Sequence, residues 1–247
     1  MRIEARGLAK SYVQSHSGTG IVAIDNIDLD IDAGEVVAIV GKTGCGKSTF
    51  FNMLLGLERP SAGTLRVDGR SPSDDFLSFR GQMGVVFQRD RLIPWRTALE
   101  NVELGLEVVG CRQPERRERA RQWLQTMGLD AFSNAYPREL SGGMRQRVSM
   151  ARAFSVRPRL ILADESFGHL DEVTAEQLRK EFIKLVHDSQ ATAVFITHQL
   201  EEAINVPERV IVFGRPGRVL MEMSVGSLNT AEKTDARNHI QQCIANN

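Results

Sequence analysis

The chain reads as short apolar runs separated by polar turns. Ile27, Leu29 and Ile31 alternate with Asp28, Asp30 and Asp32, the period-two pattern of a half-buried strand. Val36-Val37-Ala38-Ile39-Val40, Met83-Gly84-Val85-Val86-Phe87, Leu160-Ile161-Leu162-Ala163, Ala193-Val194-Phe195-Ile196 and Val210-Ile211-Val212-Phe213 are continuous apolar runs. They predict buried strands of a parallel sheet. Residues 2–10 predict an edge strand, 15–20 a polar turn, 60–63 a turn, 64–69 a strand and its exit, and 218–223 a last edge strand.

Helical periodicity covers 50–55, 99–109, 114–127, 144–154, 172–187 and 200–205, and a polar terminal helix covers 229–244. Pro114 stands at a helix start and Gly128 at its stop. From residue 160 onward strands and helices alternate strictly, which means a parallel sheet with helices on its faces. The stretch 91–154 is a helical insertion between strands of one α/β core.

Composition narrows the class. A chain of 247 residues with 42% hydrophobic and 25% charged residues is ordinary for a globular protein. The formal net charge is zero, so no electrostatic footprint points to nucleic acid or an anionic membrane. Arg116, Arg117, Arg119 and Arg121 are interleaved with Glu115 and Glu118 and read as a solvated helix face. No apolar run approaches the ~20 residues of a membrane span, and the N-terminus lacks a signal-peptide core. Cys45, Cys111 and Cys243 are scattered and suggest a reducing cytoplasm rather than disulfides or zinc. Any membrane association has to come through a partner.

The stretch around which the chemistry gathers is Gly41-Lys42-Thr43-Gly44-Cys45-Gly46-Lys47-Ser48-Thr49, which fits G-x-x-x-x-G-K-[ST]. It follows a predicted buried strand and precedes a predicted helix, the context this phosphate-binding loop requires. Glycines let successive backbone N–H groups curl toward a polyphosphate, and the helix start adds the positive end of its dipole. Lys47 is placed to reach the β- and γ-phosphates and the Ser48 hydroxyl to ligate Mg²⁺.

Asp164 and Glu165 follow a buried strand at its C-terminal end, where parallel sheets place ligands. Asp164 there can hold Mg²⁺ through water, and Glu165 can deprotonate an attacking water. Gln88 ends another strand, and its amide can reach Mg²⁺ or that water; a merely solvated Gln fits as well. His198 also ends a strand and can donate to a γ-phosphate, although a lone strand-end His is commonly structural. Ser141, Gly142 and Gly143 open a helix and offer a second anion site, or else an ordinary capped helix.

Taken together these residues resemble the nucleotide-binding subunit of an ATP-binding cassette (ABC) transporter. The family's motifs fall in order: Walker A at 41–49, Q-loop at Gln88, signature at 140–146, Walker B at 160–164, catalytic Glu165, D-loop at Leu170-Asp171 and switch His198. Tyr12 sits where the family stacks an aromatic ring on adenine. The resemblance spans nearly the whole chain. It implies a P-loop NTPase fold with a RecA-like parallel core (1–90 and 155–228), an N-terminal antiparallel β subdomain, an inserted helical signature subdomain (91–154) and a C-terminal helix (229–247), all within one ATPase domain.

It further implies ATP and Mg²⁺ as cofactors and a head-to-tail homodimer, each ATP lying between one Walker A and the opposite signature. Integral membrane permease subunits, a substrate-binding protein and a place on the cytoplasmic face of the membrane follow from the same resemblance. Leu92-Ile93-Pro94-Trp95-Arg96-Thr97 and Met144-Arg145-Gln146-Arg147 look like the bacterial nitrate/sulfonate/taurine-type importers, as does the expected lack of a C-terminal regulatory domain.

Three positions depart from the family pattern: Thr43 for Ser, Ser166 for Pro, and His169 for a small residue. The last two bear on ATPase rate and dimer affinity. An exporter ATPase is the nearest rival reading. A soluble ABC ATPase acting on nucleic acid or ribosomes is another, disfavoured by neutral charge and the single cassette. A small-molecule kinase would not need the signature. The transported solute is recognised by other chains.

Overall fold

The computed structural model describes residues 1–13, 20–168 and 170–247. The elements run β1 (Ile3–Val13), β2 (Gly20–Ile31), β3 (Val36–Gly41), α1 (Lys47–Leu54), β4 (Ala62–Val67), β5 (Met83–Val86), α2 (Ala98–Val108), α3 (Glu115–Thr126) and α4 (Gly142–Ser155). They continue β6 (Leu160–Asp164), α5 (Glu172–Ser189), β7 (Thr192–Ile196), α6 (Leu200–Asn205), β8 (Arg209–Gly214), β9 (Arg218–Ser224) and α7 (Thr230–Ala245). The chain divides into two units, residues 1–78 with 192–247, and residues 79–191.

In the first unit, β1, β2 and β4 form an antiparallel sheet in the order β2-β1-β4. The edge-strand expectation for the N-terminus is therefore corrected: β1 is the middle strand. Its second neighbour arrives some fifty residues later, a long-range pairing that local periodicity cannot signal. The predicted turn at 60–63 also ends early, because Ala62 and Gly63 already belong to β4. A side chain at Gly63 would place its Cβ 2.1 Å from the Gly7 carbonyl oxygen, so the two backbones meet only with glycine there.

The second sheet of this unit has the order β7-β3-β8-β9, with β3 parallel to both β7 and β8, and β9 antiparallel at the edge. Every residue of β3 is buried, as its unbroken apolar run requires. Helix α1 seals one face, with Phe50 edge-on to Phe213 at 5.7 Å between centroids. Such a pair contributes about 0.5–1.5 kcal/mol beyond its buried area.

In the second unit β5 and β6 are parallel, with Val86 opposite Ala163. The helices pack around an aromatic chain: Phe167–Phe182 at 5.8 Å, Phe182–Phe154 at 5.9 Å and Phe154–Trp123 at 6.1 Å. Helix α4 begins two residues earlier than its apolar periodicity suggests. The cause is its cap: Ser141 Oγ accepts from the Met144 N–H at 3.2 Å, which brings both glycines into the first turn. The polar turn expected at 15–20 and the departure at His169 fall almost wholly outside the described residues.

Candidate functional site

The phosphate loop leaves buried β3 at Gly41 and enters α1 at Lys47. A Cβ on Gly41 would lie 2.4 Å from the Phe213 carbonyl oxygen. Gly46, with φ of 94°, would bring one to 2.4 Å from the Ala23 carbonyl oxygen. Both positions demand glycine for backbone approach, and that approach is what bends the loop. Cys45 is buried beneath it, whereas Lys42, Thr43, Gly44 and Ser48 are exposed and Thr49 is half-buried.

Lys47 is only 6% exposed. Its Nζ donates to the carbonyls of Gly41 (2.7 Å) and Lys42 (3.1 Å), so the ammonium is held over the loop by its own backbone. The first N–H groups of α1 have no intrahelical acceptor and face the same anion position.

Tyr12 lies on β1 opposite Ile21, with the Lys10 Nζ 5.0 Å from its ring centroid. Gly46 abuts Ala23 and Ile24 of the neighbouring strand. At about 3.3 Å per residue the ring is roughly 10 Å along the strand from that contact. His198, also in this unit, is exposed just beyond β7. The preceding Thr197 is buried; its hydroxyl donates to Glu202 at 2.5 Å and accepts from the Gln199 N–H at 3.0 Å. That knot fixes the turn carrying the imidazole, and composition alone offered no signal for it.

In the second unit the ends of β5 and β6 bring Gln88, Asp164 and Glu165 together. Gln88 Nε2 donates to Glu165 Oε2 at 2.9 Å. Glu165 has φ of 44°, left-handed backbone that costs a non-glycine residue about 1–3 kcal/mol. The kink turns Ser166 back under the sheet, where it is 2% exposed and its hydroxyl donates to the Val86 carbonyl at 2.9 Å.

Ser141, Gly142 and Gly143 stand at the start of α4 in this unit. A Cβ on Gly143 would meet Thr174 Cγ2 at 2.9 Å, and one on Gly142 would meet Leu170 Cδ2 at 3.1 Å. Close packing thus selects the second glycine, alongside any anion role. Asp171 caps α5, accepting from the Thr174 N–H at 3.0 Å, and that bond holds its carboxyl below the usual carboxylate range.

A further set escaped the sequence reading. Arg145 pairs with Asp90 at 2.9 Å, and Arg152 donates to the carbonyls of Asp90 and Arg91, both at 2.8 Å. Burial pushes the Arg152 guanidinium below its ordinary pKa, with Asp90 opposing. Helix α4 thereby grips the segment just after Gln88. A cation on a helix that otherwise buries Val148, Ala151 and Phe154 was the available clue.

Hard oxygen donors suited to Mg²⁺ are present: the exposed Ser48 hydroxyl in one unit, Asp164 and the Gln88 amide oxygen in the other. Among the described residues no cluster of three or more His, Cys, Asp or Glu could hold a metal by protein ligands alone. Mg²⁺ is commonly held by one or two protein oxygen donors plus substrate phosphates.

Comparison with known proteins agrees with this chemistry. Residues 24–168 match the family model described as ABC transporter. A nitrate import ATP-binding protein from Synechocystis is 41% identical, over 91% of this chain and 83% of that protein. A taurine import ATP-binding protein from Rhizobium johnstonii is 39% identical, over 93% of this chain and 87% of that protein. A dimeric ATP-binding cassette solved in a post-hydrolysis state with ADP and Pi matches with a TM-score of 0.79 and 35% identity, over 92% of this chain and all of that one. The fold is that of the P-loop NTPases, with an N-terminal antiparallel β subdomain and an inserted helical subdomain. With a glycine-bent phosphate loop in one unit, a strand-end carboxylate pair in the other, and relatives alike over most of their length, the chain belongs to the ABC transporter family, as one of its ATP-hydrolysing subunits.

Proposed function

We propose that the chain is the ATPase of an ABC importer, working as a head-to-tail homodimer on the cytoplasmic face of the membrane. Lys47 and the first N–H groups of α1 bind the phosphates, and Tyr12 stacks on the base. Ser48, Asp164 and Gln88 supply oxygens to Mg²⁺, which neutralises phosphate charge when bound. Glu165 takes the proton of the attacking water, with Gln88 holding the carboxylate in place and His198 donating to the γ-phosphate. Ser141, Gly142 and Gly143 face the ATP of the opposite subunit. Two clamped γ-phosphates favour the closed dimer, and their loss favours the open one. Residues 91–154 act as the signature subdomain of a single ATPase domain.

The observation that carries the partner assignment is a largely apolar groove of about 350 Å³ beside the Gln88 segment, lined by Phe87, Leu104, Val108, Ala153 and Val156 among others. Next to it the 93–97 turn is pinned by buried Asn101, whose Nδ2 donates to the carbonyls of Ile93, Arg96 and Thr97. That turn presents Trp95 at 77% exposure. An apolar groove and an exposed indole on a hydrogen-bonded turn suit a docking element of a permease subunit, with residues 89–110 sensing its movement. Import, with a separate binding protein delivering solute, rests on the nitrate and taurine import relatives, and the solute is of that small-anion or sulfonate class.

The test is reconstitution of the chain with its membrane subunits in liposomes. ATP on the side of this chain should drive uptake of nitrate or taurine supplied with binding protein on the opposite side. ATP-driven movement away from this chain would make it an exporter subunit, and ATP turnover indifferent to any membrane partner would favour a soluble ATPase.

A further inference from the structure

We infer that Ser166 is a positioning residue for hydrolysis: its buried hydroxyl ties the end of β5 to the end of β6 and so sets the distance between Gln88 and Glu165. This rests on the reading of Glu165 as the general base.

The connections close a ring. Val86 ends β5, and two residues later Gln88 donates to Glu165 at 2.9 Å. One residue after Glu165, the Ser166 hydroxyl returns to the Val86 carbonyl at 2.9 Å, with a longer approach to the Asp164 carbonyl at 3.5 Å. One side-chain bond therefore fixes the main chain at the foot of the ring, and the other fixes the side chains at its head. Glu165 needs that support because its left-handed φ of 44° is a conformation an unsupported glutamate would leave. The Ser166 hydroxyl touches neither phosphate nor water on this reading, since it is 2% exposed and turned toward backbone. Its influence on the reaction runs through the Glu165 carboxylate. A proline at this position, which family resemblance leads one to expect, offers no hydroxyl and could not make this tie.

Loss of the hydroxyl releases the kinked Glu165 and loosens its bond to Gln88. A displacement of about 1 Å in a reacting group can cost as much as a hundredfold in rate. Ser166→Ala should lower kcat for MgATP by roughly ten- to a hundredfold, with nucleotide affinity unchanged because the phosphate loop is untouched. Ser166→Cys, nearly the same size but a weak donor, should fall between Ala and wild type.

The experiment is steady-state hydrolysis and MgATP binding by the full-length chain carrying S166A, S166C, Q88A and the double change Q88A/S166A, with E165Q as control. The expected pattern is a kcat effect of S166A that largely disappears in the Q88A background, because both changes undo one ring. Wild-type kcat in S166A, a loss confined to affinity, or full additivity with Q88A would each overturn the inference. If S166A does not fold, S166C is judged by the same criteria. Undiminished turnover by E165Q would instead overturn the general-base reading, and a slow E165Q beside a normal S166A would overturn the Ser166 role alone.

Discussion

The Gln88 side-chain amide donates to Glu165 Oε2 at 2.9 Å, across the ends of two adjacent parallel strands. A carboxylate that accepts from a fixed amide has that oxygen held in one orientation. Q88A should consequently lower kcat by about ten- to a hundredfold while nucleotide affinity changes little. An affinity loss without a rate loss, in binding and turnover assays on the same preparation, would place Gln88 on the nucleotide instead.

Lys47 has two duties. Sequence alone presents it as a ligand-facing cation, yet its Nζ also bonds the carbonyls of Gly41 and Lys42. A hydrogen bond to a charged group contributes about 1.5–3 kcal/mol. K47A should lose ATP binding or turnover and also melt several degrees lower in nucleotide-free buffer, at about 2–4 °C per kcal/mol for a chain of this size. An unchanged nucleotide-free melting temperature would show that the loop holds its shape without the lysine.

The signature glycine can be tested by relief. G143A brings a methyl against Thr174 Cγ2, an overpacking worth about 1–3 kcal/mol. T174S removes that methyl and keeps the hydroxyl. The pair G143A/T174S should recover the stability lost by G143A, measured by urea denaturation. ATPase activity that recovers in step would assign Gly143 to packing; activity that stays low would show that the added methyl also obstructs the bound anion.

The proposed head-to-tail dimer makes a complementation prediction. S141R places bulk and a second positive charge at the N-terminus of α4 and should fail to close the dimer while still binding ATP at its own loop. Mixed with K47A, it should form dimers with one intact composite site and partly regain ATP-dependent association, read by cross-linking in the isolated chain and in the assembled complex. Absence of recovery in both settings would rule out shared sites.

Much of this is legible in the sequence. Unbroken apolar runs such as 36–40 and 160–163 marked the buried strands, and the phosphate loop announced itself as one contiguous motif between strand and helix, although the backbones that require its glycines, Phe213 at Gly41 and Ala23 at Gly46, lie far away in the chain. Long-range pairing was not legible: nothing near β1 reports that β4 will join it, so the central strand read as an edge. Bonds to backbone were hidden as well. Ser166, Arg152 and Asn101 act on carbonyls up to eighty residues distant, and a carbonyl has no letter in the sequence.

The most direct measurement of the central claim is steady-state MgATP turnover by E165Q, a change that keeps the side chain's shape and removes its basicity. The account predicts turnover at least roughly a hundredfold below wild type with MgATP binding retained and an ATP-held dimer accumulating. Turnover close to wild type would contradict it.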